Sequence, residues 1–354
     1  MPTAFSSLVL QIATPFSTGT GFYFPQANLI VTNEHVVRDN PSVLVSSEFL
    51  ERRLVPVVYL DPYYDLAFLE PDEALFEADL KLQTDLPPVG STVVAIGIKK
   101  GTPQLSQEGE VLANTHTYHD IDFIQHTARL DAVQSGGPLF NAKGELLGIN
   151  MYDIDEGHKL ALTLPTATLL RCLMEFSAGQ GRTATRCFDC QELNFEPLRG
   201  QHNHCRNCGA PITLPVDVKD YQPDGIQATI EQIIAQANFD PRLARRGPNL
   251  WGINQGSARI QLAYHEDSGL VTGDAHLCLI PEDRPATIFE YLLRQNYELE
   301  QLTFSTHGRE VILSLLIYDR YLTAESGLPQ FQHLFERADF YDNYLVEEFG
   351  ASWE

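Results

Sequence analysis

Three residues far apart in the chain could together split an amide bond. Ser135 sits in Asp131-Ala-Val-Gln-Ser-Gly-Gly-Pro-Leu-Phe140, a glycine-rich turn running into an apolar stretch. A serine hydroxyl is a poor nucleophile until a neighbouring base takes its proton, and that base must be held by a third group. His35 ends the apolar run Ile30-Val-Thr-Asn-Glu-His35, and Asp65 directly precedes the alternating Leu66-Ala-Phe-Leu-Glu70. Taken singly, a histidine after a strand is usually a surface or satisfied core group, and an aspartate before a strand is usually a turn former. A second chemistry lies further on. Cys187-Phe-Asp-Cys190 and Cys205-Arg-Asn-Cys208 are two CxxC pairs, the spacing of two knuckles that can place four thiolates around one Zn²⁺.

The elements around these residues differ along the chain. Residues 1–180 read as short strands punctuated by Gly, Pro and Asn: Leu8 to Ile12, Gly19 to Phe24, Leu29 to Thr32, Leu54 to Leu60, Leu66 to Glu70, Thr92 to Ile98 and Phe123 to Gln125. Pro56 suggests an edge or a bulge. Many short strands with regular turns predict an all-β barrel or sandwich. The apolar spacing of residues 165–177 predicts a helix closed by Gly179 to Gly181.

The order His35, Asp65, Ser135 is that of the chymotrypsin-like peptidases. With Thr18-Gly-Thr-Gly-Phe22, Leu29 to Val37, Asp65-Leu-Ala67, Val89 to Gly97, Gly109-Glu-Val, Ser135-Gly-Gly-Pro-Leu139 and Gly144 to Asn150, the first half of the chain resembles trypsin-like serine peptidases of the HtrA type. The resemblance implies two six-stranded antiparallel barrels with the catalytic groups in the cleft between them. It also implies His35 as general base, Asp65 as its orienter and Ser135 as nucleophile. The backbone N–H groups of Val133 and Ser135 take the place of the oxyanion hole. Val133 departs from the pattern, because most of these enzymes carry glycine there and a β-branched residue resists positive φ. The same resemblance offers Arg129 and Asn150 for the specificity pocket. Arg129, six residues before Ser135, would select an acidic P1 side chain; the other reading is a surface arginine.

Residues 181–214 look like a zinc ribbon with one structural Zn²⁺ on Cys187, Cys190, Cys205 and Cys208. His202 and His204 stand on the loop between as alternative ligands or bystanders. A segment this short cannot bury a core, so the metal would supply its folding energy.

In residues 215–354, Pro215 to Pro223 reads as a linker, Ile226 to Ala237 as an amphipathic helix, and helices are expected at about 285–296 and 324–348. Strands between them give the order α-β-β-β-α-β-β-α, an α+β domain with an antiparallel sheet. No phosphate-binding loop is read in it. With Arg259-Ile-Gln-Leu, Leu277 to Pro281, Leu292 to Asn296 and Leu322-Thr323, this stretch resembles the YbjN-type, type III secretion chaperone-like fold, which implies partner binding or dimerisation.

The chain of 354 residues has a net charge of −23, divided as −12, +1 and −12 over the three segments. A surface this acidic repels phosphate backbones, so nucleic acid and anionic membrane are not expected partners. No apolar run approaches the roughly 18 residues of a membrane span, and the N-terminus shows no secretion signal. Four of the six cysteines fall in the CxxC pairs, which favours a metal in a reducing compartment, the cytoplasm. The expectation is a cytoplasmic, ATP-independent serine endopeptidase acting on protein substrates, with a C-terminal domain that recognises a partner. The alternative is a non-catalytic binding scaffold, for which Val133 is the sequence's own argument.

Overall fold

The computed structural model describes residues 6–98, 104–155, 158–198, 203–282 and 285–353. They divide into two compact units, Met1–Tyr221 and Gln222–Glu354. Residues 181–214 group with the barrels in the first unit.

The first unit opens with β1 (Val9–Ala13), β2 (Thr18–Phe24), β3 (Leu29–Thr32), the single-turn α1 (Glu34–Val37), β4 (Ser42–Ser46), β5 (Arg53–Asp61) and β6 (Leu66–Leu69). The strands pair in the order β5-β4-β1-β2-β3-β6, and a further β5–β6 pairing closes the ring. Its core is large and aromatic, with Leu10, Ile12, Phe22, Tyr59 and Phe68 all fully buried. Pro56 lies on β5 in regular register with Ser42 of β4, just ahead of a register shift between Val57 and Tyr59 in the pairing with β6.

A second closed barrel follows, from β7 (Thr92–Ile98), β8 (Gln104–Tyr118), β9 (Ile121–His126), β10 (Pro138–Asn141), β11 (Leu146–Asp155) and β12 (His158–Pro165). Its own core is smaller and aliphatic, formed by Val93, Ala95, Val111, Ile124, Leu139 and Leu147. Then α2 (Thr166–Ser177) returns to the first barrel and buries Leu169, Cys172, Leu173 and Phe176 in that core. The cysteine segment contributes β13 (Ala184–Arg186) and β14 (Leu193–Phe195), and β13 runs parallel to β5. The two closed six-stranded barrels agree with the expected architecture.

The second unit holds α3 (Gly225–Gln236), α4 (Pro241–Ala244), β15 (Arg245–Gly247), β16 (Leu250–Gln255), β17 (Ala258–His265), β18 (Leu270–Leu279), α5 (Pro285–Glu298), β19 (Leu302–His307), β20 (Glu310–Tyr318) and α6 (Ala324–Phe349). The sheet is antiparallel in the order β15-β16-β17-β18-β20-β19. Apolar residues of α3 and α6, among them Ile230, Ile233, Phe331, Leu334 and Leu345, share one core with Leu262, Val271 and Leu313 of the sheet. Thr323 caps α6 by accepting the Ser326 N–H, and Gly350 ends it at φ +69°, which fixes both helix boundaries.

One ion pair is built deep into this unit. Arg245 donates Nε and Nη2 to the two oxygens of Glu231, each at 2.7 Å, and the Trp251 indole N–H reaches Glu231 Oε1 at 3.2 Å. Glu231 is only 7% exposed, so removing its cation strands a buried charge. Arg245→Ala is expected to destabilise this unit by about 3–5 kcal/mol. Calorimetry should show the second unit's transition falling while that of the barrels stays in place.

Candidate active site

His35 is presented by α1, which follows directly on β3, and Asp65 by the turn between β5 and β6. The β3–β6 pairing sets these two elements side by side. Asp65 grips the histidine twice: Oδ2 accepts from His35 Nδ1 at 2.8 Å, and Oδ1 accepts from the His35 backbone N–H at 3.0 Å. Asp65 sits at φ +50°, and its carbonyl accepts from Asn33 Nδ2 at 2.8 Å, which steadies that conformation. With Nδ1 donating to the carboxylate, Nε2 is left as the basic nitrogen. Burial by itself lowers the His35 pKa. The hydrogen bond and charge of Asp65, aided by Glu34, outweigh it and carry the pKa above its ordinary value.

Ser135 is 1% exposed. The following Gly136 needs φ +85°, and a Cβ there would lie 2.2 Å from the Thr20 carbonyl, so the residue after the serine can only be glycine. Thr20 of β2 donates its N–H to the Ser135 carbonyl at 3.0 Å and its hydroxyl to the Val133 carbonyl at 2.8 Å. On the other side Gly136 N–H donates to Asn150 O at 2.9 Å, and Asn150 N–H to Gly137 O at 2.8 Å. Both barrels therefore hold the serine loop.

The loop itself is wound up. Ala132–Gln134 form one 3-10 turn, and the Ser135 N–H donates to the Ala132 carbonyl at 3.2 Å. One of the two backbone donors expected to cradle an oxyanion is thus turned onto the chain's own carbonyl. Val133 stays out of the positive-φ region, as its branched side chain requires. Ser135 Oγ accepts the Tyr152 N–H at 3.2 Å, and among the described residues it makes no hydrogen bond with His35.

The specificity candidates divide. Arg129 is exposed. Asn150 is fully buried, donating Nδ2 to Pro138 O at 3.0 Å and accepting the Thr163 hydroxyl at 2.8 Å, so its amide braces the serine loop from beneath. Behind Thr163 lies His126, 2% exposed, with Nε2 at 3.1 Å from the Thr163 hydroxyl and Nδ1 without a partner among the described residues. Sequence reading passes over His126 because nothing around it looks like a motif. Thr20 is visible there only inside the Thr18-to-Phe22 resemblance.

The four cysteines Cys187, Cys190, Cys205 and Cys208 converge, with all sulfurs within 4.8 Å of one another. Cys187 and Cys208 are 3.6 Å apart, as are Cys190 and Cys205. These separations are far beyond a disulfide of about 2.05 Å. They are close to the roughly 3.8 Å between sulfurs set tetrahedrally about 2.3 Å from one zinc. The Asn207 N–H and Asn194 Nδ2 both point at Cys205 Sγ from 3.5 Å, the kind of donor that favours a thiolate. His204 stands outside this cluster, and His202 lies outside the described residues.

A profile for the trypsin-like peptidase domain matches residues 19–149, the stretch that contains His35, Asp65 and Ser135. Over that stretch the paired barrels are similar to the trypsin-like peptidase domain, and the relatives found include HtrA-type proteins. Serine protease HTRA3 of Homo sapiens is 33% identical over 184 residues, 47% of this chain and 39% of that protein. A probable periplasmic serine endoprotease, DegP-like, of Pseudomonas putida is 33% identical over 137 residues, 38% of this chain and 29% of that one. Among solved structures, the serine endoprotease from Yersinia pestis superposes with a TM-score of 0.45 at 26% identity, covering 49% of this chain and 64% of that one. The chain spans less than half the length of the curated relatives it matches.

The buried His126 gives this domain a defined acid sensitivity. Burial brings its pKa down to about 4, against an ordinary value of 6.5. Stability from keeping it neutral is full above pH 6.5 and drains away as pH falls toward 4, on the order of 3 kcal/mol in all. Urea unfolding at pH 7 and pH 4.5 should show His126→Gln losing markedly less stability on acidification than the wild type.

Proposed function

We propose that the chain is a serine endopeptidase that cleaves protein substrates, with Ser135 as nucleophile, His35 as general base and Asp65 as its orienter. The observation that carries this reading is the double grip of Asp65 on His35, because it fixes the ring's tautomer and aims Nε2 away from the carboxylate. For turnover the Ser135 hydroxyl must donate its proton to His35 Nε2, and the Ala132–Ser135 hydrogen bond must open. Val133 and Ser135 N–H would then face the developing oxyanion. Losing one such donor costs on the order of 10²–10³ in rate, so the wound loop describes a resting enzyme of low activity.

A second reading has support from the same loop. With Ser135 N–H turned inward and its hydroxyl on Tyr152, the domain could serve as a binding scaffold that never reaches the working geometry.

The four-thiol cluster is read as a structural Zn²⁺ site, one ion per chain on Cys187, Cys190, Cys205 and Cys208. The spacing of the sulfurs and the N–H donors aimed at Cys205 support it. Close, unbonded thiols also fit a reducing compartment, which makes the cytoplasm the proposed location. Residues 215–354 are proposed to recognise a protein partner or substrate, in keeping with a chaperone-like α+β fold. Arg129 remains the candidate for choosing an acidic P1 side chain.

A fluorophosphonate probe separates the two readings. Labelling of the wild type, absent in Ser135→Ala and His35→Ala, is the expected result, and the double variant should be hardly worse than either single one. Wild-type protein that never labels, with or without candidate partners, would favour the scaffold. Val133→Gly is expected to raise basal labelling by freeing the loop. Elemental analysis should find about one zinc per chain, lost in Cys187→Ser.

A further inference from the structure

The turn that presents Asp65 is itself held by a buried charge. Asp61, the last residue of β5, is fully buried four positions earlier. Its Oδ1 accepts the Tyr64 N–H at 3.0 Å, tying the turn shut immediately before Asp65. Its Oδ2 accepts Arg186 Nε at 2.7 Å and the Tyr59 hydroxyl. Arg186 is 6% exposed and comes from β13, 125 residues away and directly before Cys187. Each edge of its guanidinium is used: Nη1 donates to Gln191 O of the first cysteine knuckle at 2.9 Å, and Nη2 to the Tyr59 hydroxyl at 3.2 Å and to Glu175. The same cation lies 5.6 Å from the centre of the Tyr64 ring, and Phe188 meets Tyr63 edge-on at 6.3 Å.

We propose that Arg186 is a positioning residue for the His35–Asp65 pair, acting through Asp61, so that the cysteine segment sets the geometry of the catalytic base. The proposal rests on the reading of His35 and Asp65 as base and orienter. The physical argument is one of uncompensated charge. A carboxylate with no access to water needs its cation, and without Arg186 it must take up a proton or swing outward. Swinging outward frees the Tyr64 N–H. Asp65, a non-glycine residue at φ +50°, keeps that costly conformation only while its surroundings over-determine it. Its release slackens the grip on His35. A lysine would keep the charge at position 186 but not the planar fork that reaches Asp61, Tyr59 and Gln191 together.

The plain alternative is that Arg186 only anchors the cysteine segment to the barrel. The two differ at His35, so the test is an NMR titration of the His35 ring in full-length wild type, Arg186→Gln, Arg186→Lys and Asp61→Asn. Thermal stability and kcat against KM are measured beside it. The expected result is a His35 pKa that falls in Arg186→Gln and Asp61→Asn and falls less in Arg186→Lys. Since about 1 Å of misplacement can cost on the order of 10²-fold, kcat should drop by that order with KM nearly unchanged. Lower stability with an unaltered His35 titration would overturn the proposal. Where Arg186→Gln fails to fold, Arg186→Lys decides on the same readout. A wild type that never labels at Ser135 defeats the peptidase reading alone, because the titration still reports whether Arg186 controls the His35–Asp65 geometry.

Discussion

Thr20 is the residue on which the cleft between the barrels depends. It is fully buried on β2 and every polar group it owns is used across the seam or beside it. Its N–H and hydroxyl take the carbonyls of Ser135 and Val133, its hydroxyl oxygen accepts the Ile98 N–H at 3.1 Å, and its carbonyl accepts the Thr32 hydroxyl at 2.8 Å. Buried backbone groups left unpaired cost about 1–3 kcal/mol each, so these bonds form together or not at all. The register of one barrel against the other and the seat of the serine loop are therefore one constraint, not two. That is why Gly136 has no room for a side chain and why the glycine pair follows the serine.

Within that fixed seat, the peptide between Ala132 and Ser135 is the soft element. A single hydrogen bond of this kind contributes about 0.5–1.5 kcal/mol net, and at 3.2 Å the Ser135–Ala132 bond is a long one. Next to it Gln134 is 2% exposed, its Nε2 without a partner among the described residues, while its Oε1 holds the Asp131 N–H at 2.9 Å. Binding energy of about 1–3 kcal/mol directed at the unwound form is enough to shift such a balance 5–150-fold.

Much of this was legible beforehand, and the reason is local. His35, Asp65 and Ser135 each sit at the end of an apolar strand pattern or in a glycine turn, and the cysteine pairs announce themselves by spacing. What stayed hidden is non-local or unpatterned. The long β8, QLSQEGEVLANTHTY, is mostly half-exposed or exposed, so it lacks the apolar alternation that marks a strand, and β4 and β12 went unread beside it. The short α4 and β15 carry too few residues to show a period. Asp61 looks like one more turn aspartate until Arg186 is brought to it from 125 residues away. The state of Val133 was readable as a difficulty, since a β-branched residue resists positive φ, but the particular hydrogen bond that resolves it was not.

The placement of β13 has a consequence for association. One edge of β5 pairs with β6, while the other is shared: β4 covers Arg53 to Pro56, and β13 takes over opposite Tyr59 and Leu60. A chain ending after α2 would leave that stretch with bare N–H and C=O groups, flanked by the apolar side chains of an aromatic core. Such an exposed strand is a template for any extended peptide, including the same edge of a second molecule. The cysteine segment therefore acts as a cover strip, and its loss would favour strand-to-strand oligomers at the very turn that carries Asp65.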